Sequence, residues 1–281
     1  MPGAAVKGGE SVSGGSSKPV TPMPSATVTL VRNAPAGIEV LMMRRNLQSA
    51  FVPGMYVFPG GGLDHADLLF KNNELCLCLD DTAASAVLRV ANDGLAYWAA
   101  AIREAFEESG LLLARDGTGA LIELSDAAVA ARFNAHRRRL NAGAVDFAEL
   151  LREENLQLAA DQLTYFAHWI TPVGMPRRYD TRFFMAEAPA GQEPFQDEQE
   201  TIAAEWVSPG AALSRHRRGE FEMRTPTVRT LETFADYANV AHLRKGLGEM
   251  PEVRVVLPRI GRDGGRILPG EPGYEEAGAG P

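Results

Sequence analysis

Glu104, Glu107 and Glu108 fall within the stretch Ala99–Leu113, whose apolar spacing and Gly110 stop signal read as an α-helix. At about 100° per residue, Glu107 lies roughly 300° and Glu108 roughly 40° around from Glu104, so the three carboxylates share about a third of the circumference. Trp98, Ala99, Ile102, Ala105 and Phe106 occupy the opposite side and can face a core. Such an acidic face is unfavourable for a bare helix. Like-charged i,i+3 and i,i+4 pairs each cost about a few tenths of a kcal/mol, and Glu107 and Glu108 sit at the negative end of the helix dipole. A hard divalent cation reverses both effects, because it takes carboxylate oxygens and keeps waters that a phosphate can displace. The chemistry on offer is metal-assisted hydrolysis of a phosphate derivative. A solvated acidic face is the alternative that the helix alone leaves open.

Arg103-Glu104-Ala105-Phe106-Glu107-Glu108-Ser109-Gly110-Leu111 resembles the second half of the Nudix box, Arg-Glu-aliphatic-any-Glu-Glu-any-Gly-aliphatic. Phe58-Pro59-Gly60-Gly61 resembles the turn that opens the box. The resemblance implies an enzyme that cleaves a nucleoside-linked diphosphate with Mg²⁺ or Mn²⁺. It implies the fold as well: an α+β chain in an α/β/α sandwich, with a mixed sheet between helices and helical insertions. Glu104, Glu107 and Glu108 would then be metal ligands, and Arg103 would orient them. A further family carboxylate precedes a Glu-Trp-Val strand, a slot that Glu200 takes ahead of Trp206. Either Glu104 or Glu200 is implied as general base.

Two departures stand out. Gly61 precedes Arg103 by 42 residues, where the ordinary box has fourteen. The family's first glutamate, eight residues before the arginine, falls on Leu95 unless Asp93 or an insertion residue substitutes. Upstream, Leu41-Met42, Arg44-Arg45 and Gly54 resemble the signature of coenzyme A diphosphatases in the family. Ser49, Phe51, Pro53 and the long insertion are closer to the peroxisomal branch and its bacterial relatives. The implied substrate is coenzyme A or an acyl-coenzyme A. Ala50, where the coenzyme A diphosphatase signature carries a second arginine, keeps ADP-ribose or a dinucleotide open, and Leu95 keeps open a non-catalytic binding module.

The elements that must hold these residues are legible in outline. Ala26–Arg32 and Ile38–Arg44 read as strands around an Asn33–Gly37 turn. Gly60 and Gly61 permit close approach of a ligand. Helices are expected after Asp81-Thr82, over 125–140 and 146–155, after Ser208-Pro209 and after Thr225-Pro226; strands are expected over 163–170, 182–186 and 203–207. Pro172, Gly174 and Pro176 place Arg177, Arg178 and Arg182 on or beside a loop, and with Arg44 and Arg45 they are candidates to grip an anionic substrate. Arg132 and Arg137–Arg139 read as a solvated helix face, and the five histidines as structural.

Composition bounds the rest. The net charge of −8 argues against nucleic-acid binding, so the expected partner is a small nucleotide. Cys76 and Cys78 read as small buried hydrophobes and cannot complete a zinc site. No membrane-spanning run or signal segment is evident, which gives a soluble, cytoplasmic expectation; a homodimer is left open. Residues 1–24 and 261–281, rich in Gly, Ser and Pro, are expected to be disordered tails around one domain over 25–260, with insertions near 64–94 and 115–160.

Overall fold

The computed structural model describes residues 19–46, 54–72, 74–195 and 201–277. Strand β1 (Met23–Ala34) turns at Pro35-Ala36 into β2 (Gly37–Arg45), and β1 begins three residues before Ala26. Short strands β3 (Tyr56–Val57) and β4 (Gly60–Gly62) lead through a 3-10 segment (His65–Asn72) to helices α1 (Asp81–Leu88) and α2 (Leu95–Ser109). Then come β5 (Ala114–Arg115), α3 (Ala127–Asn141), α4 (Phe147–Glu153), β6 (Gln157–Leu158), β7 (Thr164–Ile170) and β8 (Tyr179–Glu187). The chain continues through β9 (Thr201–Val207), α5 (Pro209–Arg217), α6 (Thr225–Phe234) and α7 (Val240–Gly248) to the short strands β10 (Val255–Val256), β11 (Arg259–Ile260) and β12 (Arg266–Ile267).

The main sheet runs β10-β7-β8-β1-β2-β3, with β4 also on β1 and β9 also on β2. β1 pairs β8 in parallel and β7 pairs β10 in parallel, while the other pairs are antiparallel. Successive strand residues point to opposite faces, and the two faces carry two cores. Val28, Leu30, Leu41, Met43 and Phe184 join the core that holds α2. Val31, Val40, Met42, Phe183 and Met185 join the other, with Leu231 of α6 and Leu243 of α7. The result is the expected mixed sheet between helical layers.

Two expectations need correction. From Gly261 the chain forms the turn and second strand of the β11–β12 hairpin instead of a disordered tail. Its glycines serve a tight turn, with Gly264 at φ +80° and the Gly261 amide donating to the Gly265 carbonyl at 2.7 Å. Arg229 of α6 pairs with Glu271 at 3.1 Å, which ties this segment to the domain. Cys78 is exposed, whereas Cys76 is buried. Among the described residues no helix is long and apolar enough to cross a membrane.

Candidate metal and substrate site

Helix α2 runs through the centre of one core, and only Glu104 and Glu107 of its fifteen residues escape full burial. A buried helix leaves its first amides without partners unless something caps them. Here α1 does so: Asp81 accepts from the Asp93 and Leu95 amides, each at 3.0 Å, and Ser85 Oγ accepts from the Gly94 amide at 2.9 Å. A Cβ at Gly94 would fall on the Ser85 backbone, so glycine allows this close docking. At the other end Gly110 adopts φ +76° and its amide bonds to the Phe106 carbonyl. Arg137 donates to the Glu107 carbonyl at 2.9 Å, while Arg132 pairs with Glu154 and Arg139 with Glu153. Three of the four arginines of the α3 cluster therefore pair within the fold, and Arg138 is exposed.

Arg103 is buried and directs its guanidinium at three carboxylates. Its Nε and Nη2 each donate to Asp67 at 3.0 Å, and Nη2 also reaches the Gly62 carbonyl at 2.9 Å. Nη1 donates to Glu104 at 2.9 Å and to Glu107 at 2.8 Å. Burial disfavours the Arg103 charge, but the Asp67 hydrogen bonds and the surrounding carboxylates outweigh it and hold the group protonated. Burial pushes the Glu104 carboxyl above its usual range and the Glu107 carboxyl up to about 7, against the pull of Arg103.

The glycine strand β4 lies against these acids. The Gly60 amide donates to Glu108 Oε2 at 3.2 Å, and a Cβ on Gly61 would land on the Glu104 carboxylate. Glu104 and Glu108 line a cleft of about 510 Å³ together with Gly60–Gly62, Arg45 and Arg177. Trp169, Met175 and Phe183 supply apolar wall. Glu107 faces a smaller neighbouring cavity with Asp64, Asp146 and Glu149.

Of the five candidate arginines, Arg45 and Arg177 line the cleft and the other three are engaged elsewhere. Arg44 donates to the Gly54 carbonyl at 3.3 Å and lies over Tyr56. Arg178 is buried and donates to the carbonyls of Thr171 at 3.0 Å and Val20 at 2.7 Å. Arg182 is within strand β8, not beside the loop, and is buried against His168, Asp180 and Tyr97. The loop ends three residues earlier than expected, because β8 begins at Tyr179 and not at Arg182, to pair with β1. Glu200, Ser49, Ala50, Phe51 and Pro53 lie outside the described residues.

The sequence matches the family model of the NUDT19 Nudix domain over residues 79–233, more than half of the chain. The chain belongs to the Nudix family. Among curated relatives, the acyl-coenzyme A diphosphatase NUDT19 of Gallus gallus is 28% identical over 244 residues, covering 75% of this chain and 65% of that protein. The Xenopus laevis protein of the same name is 27% identical, covering 76% of this chain and 64% of that protein. The chain thus spans about 65% of these relatives' length. A crystallised Nudix hydrolase from Alicyclobacillus acidocaldarius is 27% identical with a TM-score of 0.68, covering 82% of this chain and 99% of that one.

Within the Nudix box, Asp67 is the residue that sequence reasoning missed. Counted back from Arg103 the first acidic slot falls on Leu95, but counted forward from Gly61 it lies six residues on, at Asp67. The insertion therefore enters after the first acid, and Asp67 braces Arg103 in place of Leu95.

Nudix hydrolases use divalent metal ions, and the donor set here fits one. The oxygens are hard, Arg103 is shared among Asp64, Asp67, Glu104 and Glu107, and burial raises both glutamates in a way that a cation would relieve. Among the described residues no three such side chains converge on one point, since Glu104 and Glu107 both turn to Arg103 Nη1.

Proposed function

We propose that the protein is a metal-dependent diphosphatase acting on coenzyme A or an acyl-coenzyme A, giving a 4′-phosphopantetheine and adenosine 3′,5′-diphosphate. One observation carries the reading: the acidic face of α2, braced by Asp67 and Arg103, opens beside a glycine strand onto a cleft with both arginines and apolar wall. The names of the curated relatives support the substrate class. An ADP-ribose or dinucleotide substrate keeps the same chemistry and is separated from this one by products. The Asp67 brace weakens the case for a non-catalytic module, which rested on Leu95.

Mg²⁺ or Mn²⁺ held by Glu104, Glu107 and Glu108 would polarise the diphosphate and lower the pKa of the attacking water. Attack at one phosphorus breaks its bond to the bridging oxygen, which leaves on the other phosphate. Glu104 suits the role of proton acceptor, because its carboxylate lies in the cleft. Arg45 and Arg177 can neutralise phosphate oxygens, and Arg103 fixes the glutamates without facing the cleft. Glu200 is the other candidate for ligand or base. Glu107→Gln is expected to lower turnover by orders of magnitude with the melting temperature retained. Unchanged turnover removes the metal assignment.

A further inference from the structure

Of the eight arginines around α5, α6 and the hairpin, four have an acidic partner: Arg215 with Glu205, Arg218 with Glu220, Arg229 with Glu232 and Arg259 with Glu275. Of the other four, Arg217, Arg224, Arg262 and Arg266, only Arg224 and Arg266 line the cleft. Among the described residues neither guanidinium has an ion pair or hydrogen bond, and both line the cleft that holds Glu104 and Glu108. Both side chains stand exposed at the cleft, where partial desolvation and the nearby Arg224 charge work against the charge of Arg266. Two like charges held side by side without a counter-ion are unfavourable, and an anion between them reverses the sign. Arg224 is also the N-cap of α6, whose first turn has no side-chain cap, so the positive end of that helix dipole adds to the same field.

The topology gives the cleft its reach. One row of paired residues crosses the sheet from Gly62 through Ser25, Thr181 and Trp169 to Val256. Four strand spacings of about 4.8 Å make this span roughly 19 Å. The carboxylates reach the cleft beside β4, and the hairpin bearing Arg266 follows β10 at the opposite edge. Leu268 packs on the core under α6 and holds the hairpin there.

We propose that Arg224 and Arg266 form a second anion subsite, which takes a phosphomonoester carried by the nucleotide apart from the diphosphate that is cleaved. On the diphosphatase reading above, on which this rests, that group is the 3′-phosphate of coenzyme A. The pair then selects 3′-phosphorylated substrates over nucleotides with a free ribose.

The test compares coenzyme A with 3′-dephospho-coenzyme A on the full chain with Mg²⁺, and measures binding of adenosine 3′,5′-diphosphate and 5′-AMP by calorimetry. The wild type is expected to favour coenzyme A in kcat/KM about tenfold or more, and Arg266→Gln and Arg224→Gln to bring that ratio toward one. Because each variant is its own reference, partial misfolding does not imitate the result. A wild-type ratio near one, or a ratio that neither variant moves, overturns the subsite. If no diphosphate is cleaved but adenosine 3′,5′-diphosphate binds more tightly than 5′-AMP in an Arg266-dependent way, the subsite stands and the diphosphatase reading falls. Equal binding of the two nucleotides by wild type removes the subsite even when coenzyme A is hydrolysed.

Discussion

Asp67 meets Arg103 through two hydrogen bonds of 3.0 Å across 36 residues of chain, both side chains buried. That contact explains how the loop of the Nudix box can be so long. Asp67 lies before the insertion and Arg103 after it, so the added residues, α1 among them, pack on the core and cap the start of α2 while the acid and the arginine still pair. Removing one partner of a buried pair costs about 3–5 kcal/mol, because the other charge is left uncompensated. Asp67→Ala is therefore expected to lower stability by about that much in denaturant titration. Asp67→Asn keeps one acceptor oxygen for Arg103 but sets an NH2 group against its other N–H, and should fold with kcat reduced about 10- to 100-fold and KM little changed as the glutamates lose their orienting arginine. Full activity in both variants would show that Arg103 needs no brace.

The raised Glu107 pKa fixes the sign of a pH effect. Its folded value of about 7 exceeds the ordinary 4.5, so folding favours the protonated form. Without metal, its contribution to stability is present below about 4.5 and is lost as pH rises to about 7. A divalent cation needs the ionised carboxylate, so the rise in Tm on adding Mg²⁺ should grow from pH 5 to pH 8. Thermal melts of wild type against Glu107→Gln isolate this group. A Mg²⁺ shift that does not change with pH contradicts the assignment.

The two glycines of β4 should fail differently when substituted. A Cβ on Gly60 would lie 2.6 Å from the Ala26 carbonyl oxygen, in a backbone that cannot yield, so Gly60→Ala is expected to cost about 1–3 kcal/mol. A Cβ on Gly61 meets the Glu104 carboxylate, which can swing aside. Gly61→Ala should therefore keep its Tm within a few degrees and lose most of its kcat. Equal effects of both substitutions on Tm and kcat would refute the distinction.

Arg177 and Arg182 should also separate. Arg177→Gln, at the cleft, is expected to raise KM for the diphosphate substrate with Tm unchanged. Arg182→Gln removes the guanidinium from the His168–Asp180 pair and should cost about 1–3 kcal/mol, with KM preserved in the folded fraction.

The sequence made the α2 glutamates, the mixed sheet and most element positions legible because they depend on local periodicity and on a compact motif. What it concealed depends on contacts across the chain. Asp67 was obscured by counting backwards over an insertion of unknown position. Arg178 and Arg182 carry the residue type of a phosphate ligand, yet the folded chain turns one to the Thr171 and Val20 carbonyls and the other to Asp180. Arg224 and Arg266 were passed over for the opposite reason. One lay at an ordinary helix start, and the other in a glycine-rich stretch whose composition suggested disorder but whose glycines make a hairpin turn.

The most direct test of the central claim is product analysis by mass spectrometry after incubating the purified protein with Mg²⁺ or Mn²⁺ and a mixture of coenzyme A, an acyl-coenzyme A, ADP-ribose and NADH. The account predicts that adenosine 3′,5′-diphosphate and a 4′-phosphopantetheine appear first, and that Glu107→Gln abolishes them. AMP from ADP-ribose or NADH with coenzyme A left intact would contradict it.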